Sequence, residues 1–217
     1  KNLIVTDRDL FPDGTVEIDQ IRIFADARPE RIISYAGSKI ILSIPETVNG
    51  YTVSRIGAYA FNGNDTLLTV TLPESVTSIG EFAFAGSVIR TVKGAKGVTT
   101  IEEGAFMYCA GLSTFAWGDA LTTIGNDAFR GTGFTEFTAP NGLLSLGDRA
   151  FFECEFLDTV RLDIALKTLG NNAFAQCPRL ATAVVPGCFT NRESQVFDST
   201  CSVSYMSSEN IALLSWS

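Results

Sequence analysis

Apolar and small residues recur along this chain in a fixed phrase: an Ile or Leu stands five positions before a Phe, and an Ala directly precedes that Phe. The phrase occurs six times, and its closing residues are Phe61, Phe84, Phe106, Phe129, Phe151 and Phe174. Consecutive copies are 22 or 23 residues apart. Six copies at so regular a period predict an architecture in which one compact unit is stacked on the next.

A second phrase, of the form L-x-x-V-x-L, follows each Phe. Its principal positions are Leu67/Val70/Leu72, Ile89/Val92/Gly94, Leu112/Phe115/Trp117, Phe134/Phe137/Ala139, Leu157/Val160/Leu162 and Leu180/Ala183/Val185. The last two positions of each set are two residues apart, which is the period of a strand with one buried face. Proline often follows directly, as at Pro73, Pro140 and Pro186, and ends the strand. Each repeat is therefore predicted to contain one short strand, a turn and a compact return segment.

The return segment is expected to be a single helical or 3₁₀ turn around the Ala-Phe pair. The column before the Phe contains only Ala, at Ala60, Ala83, Ala105, Ala128, Ala150 and Ala173, which implies a tight space between repeats. The Phe side chains would stack along the axis, and burying each would contribute about 1.5 to 3 kcal/mol. A glycine column, Gly57, Gly80, Gly125, Gly147 and Gly170, is interrupted by Glu102. We expect these glycines to serve a turn with positive φ.

The ends of the chain depart from the repeat. One further period leads to Phe197, which predicts a degenerate seventh copy acting as a cap. The runs 15–19 and 21–24 alternate or nearly so, and they predict strands of an N-terminal cap. The predicted organisation is an N-terminal β cap over residues 1–34, six repeats over 35–186, and a degenerate repeat with a C-terminal cap over 187–217. The fold class is an α/β solenoid with a face of parallel strands.

Charge and apolar content exclude some partners. The net charge is −8, from 24 acidic and 16 basic residues, which argues against a nucleic acid or an anionic membrane as partner. No apolar run approaches the roughly 18 to 20 residues that a membrane-spanning helix needs. The chain starts at Lys1 without an apolar signal segment, so we expect a processed form from which any targeting segment is missing.

The residue types also lower the expectation of catalysis. Histidine is absent, so Ser-His-Asp and Cys-His arrangements are impossible. The acidic pairs Glu102–Glu103 and Asp148 with Glu153 are interpreted as solvated turn charges. No phosphate-binding or dinucleotide glycine motif is present, and we expect no cofactor and no metal site. A carboxylate-dependent glycan hydrolase remains only as a remote alternative.

Five cysteines are present, and none forms a C-x-x-C pair. Without histidine, a zinc site would need an all-Cys or Cys/carboxylate set, which is not expected. Cys188 and Cys201 lie outside the repeat columns. They could form a disulfide that closes the C-terminal cap, with two free buried thiols as the alternative.

These phrases resemble the BspA-like leucine-rich repeats, found largely in bacterial surface proteins. The resemblance covers roughly residues 35–186 and includes the lead-in Ile44-Pro45-Glu46-Thr47-Val48-Asn49-Gly50-Tyr51. In that family a Cys commonly lies three residues after the repeat Phe. Cys109, Cys154 and Cys177 match this column, and Asn64, Ser87 and Thr132 replace it elsewhere. The resemblance implies a right-handed leucine-rich-repeat solenoid, a secreted or cell-surface location, and a host or matrix protein or glycan as partner.

The candidate binding surface consists of the residues between the buried positions of each strand, predicted to be its concave face. The selected residues are Thr69, Thr91, Lys93, Thr114, Glu136, Thr138, Thr159 and Arg161. A threonine ladder also stabilises a parallel sheet without any ligand, and that reading stays open. The functional reading depends on Lys93, Glu136 and Arg161, which interrupt an otherwise uniform surface. Trp117 is expected in the core, and the role of Trp216 is left undetermined.

The leading hypothesis is a non-catalytic extracellular binding or adhesion module, expected to be a monomer. Extended solenoid surfaces suit large partners because every repeat adds area. The second hypothesis is a structural spacer region of a longer surface protein.

Overall fold

The computed structural model describes residues 15–18, 21–24, 31–35, 39–48, 51–190 and 193–206, with side chains from 39–47, 52–190 and 195–206. The chain winds into a parallel β-solenoid of about six coils with very little helix. The predicted fold class is therefore confirmed. Trp216 lies outside the described residues.

The strands of the L-x-x-V-x-L phrases form one surface, which we call the long-strand face. It consists of two four-stranded parallel sheets. The first contains, in spatial order, Thr114–Phe115, Thr91–Lys93, Thr69–Thr71 and Ile41–Ser43. The second contains Glu136–Thr138, Thr159–Arg161, Thr182–Pro186 and Ser202–Met206. Central residues such as Val70 and Phe137 are buried and their neighbours point outward, as the period of two requires.

A second surface, the short-strand face, is built from the strands before each Ala-Phe pair and forms one nine-stranded sheet. Its strands, in spatial order, are Thr15–Ile18, Ile21–Phe24, Arg31–Tyr35, Arg55–Ile56, Ser78–Ile79, Thr100–Ile101, Thr123–Ile124, Ser145–Leu146 and Thr168–Leu169. The first three strands pair antiparallel and the others pair parallel. Both strands predicted between residues 15 and 24 are present. A hairpin also pairs Thr47–Val48 with Tyr51–Thr52.

The return segments are turns, and the prediction of a helical or 3₁₀ turn around the Ala-Phe pair is wrong. In the described residues, 3₁₀ turns occupy Ala95–Gly97 and Gly187–Phe189, and one α-helical turn occupies Glu193–Val196. The residue before each Ala has a positive φ, as at Tyr59 (φ 59°) and Phe82 (φ 50°). A helix needs negative φ at every residue, so this backbone cannot form one.

Backbone bonding in the return segments alternates. The N–H of Tyr59, Phe61 and Gly63 donates to the next coil, at carbonyls of Glu81, Ala83 and Ala85, over 2.9, 2.6 and 2.8 Å. Intervening residues donate within the segment, as Ala60 does to the carbonyl of Gly57 over 3.3 Å. Each return segment is thus bonded both to itself and to its neighbour.

The repeat phenylalanines form a continuous stack through the core. Neighbouring rings from Phe61 to Phe174 lie 4.6 to 5.4 Å apart and within 17° of parallel. Phe197 continues the stack at 5.4 Å from Phe174, and a backbone bridge joins these two residues. The degenerate seventh copy is therefore a structural continuation of the repeat. The Ala column is buried throughout, as its composition predicts.

The glycines of this column are needed for a different reason from the predicted one, which was a turn with positive φ. Gly80 and Gly125 do not have positive φ. A Cβ at Gly80 would lie 2.8 Å from the backbone N of Ala58, and one at Gly125 would lie 2.8 Å from that of Glu103. Glycine is used here because the backbones of neighbouring coils approach too closely for a side chain.

The predicted cysteine column forms a buried polar ladder. The thiols of Cys109, Cys154 and Cys177 donate to carbonyls of the preceding repeat, those of Phe84, Phe129 and Phe151, over 2.9, 3.3 and 3.2 Å. Ser87 and Thr132 occupy the same column and contact the next thiol at 3.4 Å each. Burial raises the pKa of Cys109 to about 11. The pKa of Cys177 is also raised, first by its side-chain hydrogen bond with Cys154 and then by burial.

No disulfide joins Cys188 to Cys201, since all five cysteines are free thiols and Cys188 is exposed. The parallel register aligns Thr182 with Ser202 and Pro186 with Met206. Cys201 therefore precedes the paired strands and Cys188 follows them. The intervening strand spans about 16 Å, far beyond the Cα separation of about 4.4 to 6.8 Å that a disulfide needs.

Candidate functional site

The long-strand face carries all eight residues selected from the sequence. Lys93, Thr114, Glu136, Thr138, Thr159 and Arg161 are exposed, and Thr69 and Thr91 are half-buried. Within the first sheet, Thr91 lies in register between Thr69 and Thr114.

In the second sheet, Glu136 lies beside Thr159, and Thr138 lies beside Arg161. The structure thus brings Glu136 and Arg161 together on adjacent strands. Lys93 belongs to the other sheet and is not part of that group.

The two sheets of the long-strand face are not bonded to each other. No strand pairing joins Thr114–Phe115 to Glu136–Thr138, although both segments are fully described. At the end of the first strand the N–H of Trp117 donates to the carbonyl of Phe115 over 3.0 Å, so the chain turns there. The half-buried Trp117 ring packs against Phe134 and Phe137, with centroids 5.8 and 5.4 Å away. Trp117 thus belongs to the core, as predicted, and marks the break.

Threonine hydroxyls are bonded at one set of positions. The hydroxyls of Thr77, Thr99 and Thr122, each one residue before a strand of the short-strand face, donate to backbone carbonyls of the preceding coil over 3.2, 3.0 and 3.0 Å. Within those strands, Thr100 and Thr168 form no side-chain hydrogen bond to a described residue. Seven threonines of the long-strand face form no side-chain hydrogen bond to any described residue between 39 and 206. They are Thr69, Thr71, Thr91, Thr114, Thr138, Thr159 and Thr182. Their hydroxyls are therefore available to a partner.

The charged residues of the long-strand face are also unpaired. Among the described residues, no ion pair or side-chain hydrogen bond includes Lys93, Glu136 or Arg161. Some charges elsewhere are bound between coils. Arg55 donates to Ser78 over 2.9 Å and to Glu102 over 3.2 Å. The interpretation of Glu102 as a solvated turn charge is therefore corrected, because its carboxylate is paired with Arg55 two coils away.

A denser ionic network, which was not predicted from the sequence, lies in the return segments. Arg149 donates twice to the buried Asp127, over 2.8 Å from Nη2 and 3.0 Å from Nε. Arg130 donates to Glu153 over 2.9 Å and lies 3.5 Å from Asp127. The hydrogen bonds to these carboxylates raise the pKa of both arginines. A signal was present, because Arg149 and Glu153 follow Asp127 and Arg130 by 22 and 23 residues.

Three of the described acidic residues line one hollow at the surface. An open hollow of about 280 Å³ is lined by Glu153, Glu155, Gln176, Pro178 and Asp198. Glu153 is bound to Arg130, and Asp198 accepts a hydrogen bond from the N–H of Cys177 over 3.1 Å. Across the described residues, no group of three or more Cys, Asp or Glu side chains is placed to hold a metal ion. No helix in the described part of the chain is long and apolar enough to cross a membrane.

Parallel sheets on two faces, a phenylalanine stack and 22- or 23-residue coils define a leucine-rich-repeat solenoid. The sequence profile of the BspA type leucine-rich repeat region matches residues 41–138 and 99–214, in six copies. This chain belongs to that family.

Solved structures agree with this assignment. A leucine-rich repeat protein of T. pallidum is 26% identical, with a TM-score of 0.71, over 83% of this chain and 92% of that one. A leucine-rich repeat protein from Bacteroides ovatus ATCC 8483 shares the fold at 18% identity and a TM-score of 0.50, over 80% of this chain and 56% of that one. A search of curated proteins finds no match.

Proposed function

We propose that this protein is a non-catalytic extracellular binding module and that the long-strand face is its binding surface. The observation that carries the proposal is the set of polar groups on the long-strand face that have no partner within the described residues. Seven threonine hydroxyls of this face are unbonded, whereas Thr77, Thr99 and Thr122, which precede the short strands, are bonded to the preceding coil. Free donors and acceptors on a rigid sheet can be matched by a complementary partner without rearrangement.

The three charges strengthen the proposal. Lys93, Glu136 and Arg161 are exposed and contribute nothing to the ion pairs that bind coil to coil elsewhere. A charge without an internal partner can steer and orient an incoming molecule. The resemblance to bacterial surface proteins supports an extracellular setting, with a matrix protein, mucin or glycan as the class of partner.

A spacer is the second candidate function. The continuous phenylalanine stack and the coil-to-coil ion pairs would serve a stalk equally well. A spacer has no use for seven unbonded threonine hydroxyls and three unpaired charges on one face, and this observation favours the binding module.

The test is a binding screen of the purified chain against arrayed extracellular-matrix proteins, mucins and glycans. A saturable partner should be weakened about tenfold, equivalent to about 1.4 kcal/mol, by the double exchange Glu136→Arg with Arg161→Glu. The exchange leaves the net charge unchanged, so a loss of binding would depend on where the two charges lie and not on their sum.

A matched control exchanges the exposed pair Glu74 and Lys96, whose side chains lie 3.7 Å apart and are not among the candidate residues. Glu74→Lys with Lys96→Glu should leave binding unchanged. Binding that survives the first exchange would remove the long-strand face from consideration. No saturable partner at all would favour the spacer.

A further inference from the structure

Two Asn-Gly pairs lie in the described part of the chain: the first pair is Asn62-Gly63 and the second pair is Asn141-Gly142. Another, Asn49-Gly50, lies outside the described residues. An Asn before a Gly can react without any enzyme, because the backbone nitrogen of the glycine can attack the side-chain carbonyl carbon of the asparagine. Glycine permits this attack because it has no Cβ in the way and the widest choice of backbone angles.

Both pairs are the central residues of a turn. The N–H of Asn64 donates to the carbonyl of Phe61 over 3.2 Å and closes the turn around the first pair. The N–H of Leu143 donates to the carbonyl of Pro140 over 3.0 Å and closes the turn around the second pair. Each turn is thus closed by a hydrogen bond between its first and fourth residues. A comparison of the two pairs therefore depends mainly on how the reacting nitrogens themselves are bonded.

In the first pair, both reacting groups are bonded to the next coil. The side-chain amide nitrogen of Asn62 donates to the carbonyl of Ala85 over 3.1 Å. The N–H of Gly63 donates to the same carbonyl over 2.8 Å. The attacking nitrogen and the departing amide group are held by one oxygen, so both bonds must break before the pair can react.

In the second pair, both reacting groups are unbonded. Asn141 is exposed, and its side chain forms no hydrogen bond to any residue that the structure describes. The N–H of Gly142 likewise donates to no group among the described residues. A Cβ at Gly142 would collide with the carbonyl oxygen of Asp119 and would lie 3.3 Å from that of Leu121. Close packing between coils therefore keeps a glycine directly after an exposed and unbonded asparagine.

We propose that Asn141 is a site of spontaneous deamidation and that the contact of Asn62 with the next coil protects it from the same reaction. The nitrogen of Gly142 forms a bond to Cγ of Asn141 and gives up its proton, and the side-chain amide leaves as ammonia. The resulting five-membered succinimide ring takes up water at one of its two carbonyl carbons. Opening one ring bond yields aspartate, and opening the other yields isoaspartate. The only reactants are the chain and water.

The product would alter a column of side chains in the turns that follow the long strands. Glu74, Lys96, Asp119 and Asn141 follow one another at intervals of 22, 23 and 22 residues. Lys96 lies 3.7 Å from Glu74, so members of this column can contact each other between coils. Deamidation of Asn141 adds a negative charge in the coil next to that of Asp119. Isoaspartate also lengthens the backbone of that turn by one methylene group. The modification does not depend on the proposed binding function.

The experiment is incubation of the folded chain in mildly alkaline buffer made with H₂¹⁸O, followed by trypsin digestion in ordinary water and mass spectrometry. Cleavage at arginine places the two pairs in separate peptides, 56–90 and 131–149. Asn141 is the only Asn or Gln in its peptide. We expect the 131–149 peptide to replace an NH₂ group with a labelled hydroxyl as incubation proceeds, in two products that chromatography separates.

Asn62 provides the matched comparison within the same chain. It should convert at least about tenfold more slowly than Asn141, because two hydrogen bonds must open first. In urea this difference should disappear, since unfolding releases both pairs. Asn141→Gln is the control variant, and its 131–149 peptide should remain unlabelled because the longer side chain would have to close a less favourable six-membered ring.

Equal conversion of the two asparagines in the folded chain would overturn the proposal. An unlabelled 131–149 peptide from the folded chain would do the same, whatever happens in urea. A difference between the two asparagines that persists unchanged in urea would assign the selectivity to the local sequence and would remove the protective role of the Ala85 carbonyl.

Discussion

At the residue scale, the repeat phenylalanine fills the space that each coil leaves for its neighbour. Phe129 is fully buried and stacks on Phe106 and Phe151 at 5.3 and 5.1 Å. It also receives the edges of Phe115 and Phe134, at 5.7 Å each. One ring therefore packs against the repeats on both sides of it, and a smaller side chain in its place would leave a cavity.

Phe129→Ala is expected to lower the free energy of unfolding by about 3 to 5 kcal/mol, because the tightly packed stack cannot collapse into the space. Urea denaturation followed by circular dichroism measures it. The control is Phe156→Ala, whose side chain is 47% exposed and contacts Arg179. The control should cost less than about 1 kcal/mol. Equal losses in the two variants would show that the stack is not the principal source of stability.

The buried thiol of Cys109 makes stability depend on alkaline pH. Burial raises its pKa from 9.0 to about 11, so the folded chain holds the proton more tightly than the unfolded chain. The resulting stabilisation is complete below the unfolded pKa and is lost as the pH rises through the folded pKa. We expect it to amount to about 2 to 3 kcal/mol.

Cys109→Ser supplies the comparison, since Ser87 already occupies the same column one repeat earlier. The free energy of unfolding of the unaltered chain should fall more steeply than that of the variant between about pH 8.5 and about pH 11. Parallel curves would mean that the thiol does not titrate differently in the folded state.

At the scale of the elements, two kinds of glycine are needed for different reasons. Gly125 has an ordinary backbone conformation but no room for a Cβ, which would lie 2.8 Å from the N of Glu103. Gly86 has φ +67° and open space around it. Gly125 is required because neighbouring coils pack too closely for a Cβ, and Gly86 is required because its turn has a positive φ angle.

Alanine substitutions separate these two requirements. Gly125→Ala should cost about 3 kcal/mol, because the obstacle is backbone that neighbouring coils hold in place. Gly86→Ala should cost about 1 kcal/mol, which is the penalty of a left-handed conformation alone. Thermal unfolding of both variants measures the difference. A larger loss for Gly86→Ala would show that turn strain outweighs packing between coils.

The elements were predictable to different degrees. Strand positions could be read from the sequence because a period of two has one interpretation on a half-buried strand. The return segments could not, because their positive φ angles fall on Tyr59, Phe82 and Arg149, residues that rarely adopt them. The Ala-Phe pair by itself is compatible with a helical turn. Hydrogen bonds to the next coil instead stabilise the turn with a positive φ angle.

At the scale of the whole molecule, the position of the candidate face could be predicted from the sequence, but the hydrogen bonding of its side chains could not. Outward residues follow from strand alternation. Thr77 and Thr69 are the same residue type, yet only the first hydroxyl is bonded. The break at Trp117 was also hidden, because it depends on the combined size of Trp117, Phe134 and Phe137, which come from two repeats. The joint packing of side chains from neighbouring coils can be recognised only in the three-dimensional structure.

The stacking of coils has a mechanical consequence. In the described residues, backbone hydrogen bonds between coils join each coil only to the coils beside it, so a pull on the two ends of the solenoid should detach one coil at a time. A coil of 22 or 23 residues should release about 75 Å of chain, since an extended residue spans about 3.5 Å and the folded coil about 4.8 Å. Optical-tweezer extension traces should show steps of this length or its multiples. A protein anchored at one end and bound to a partner along its side would then lengthen under load in increments before it let go.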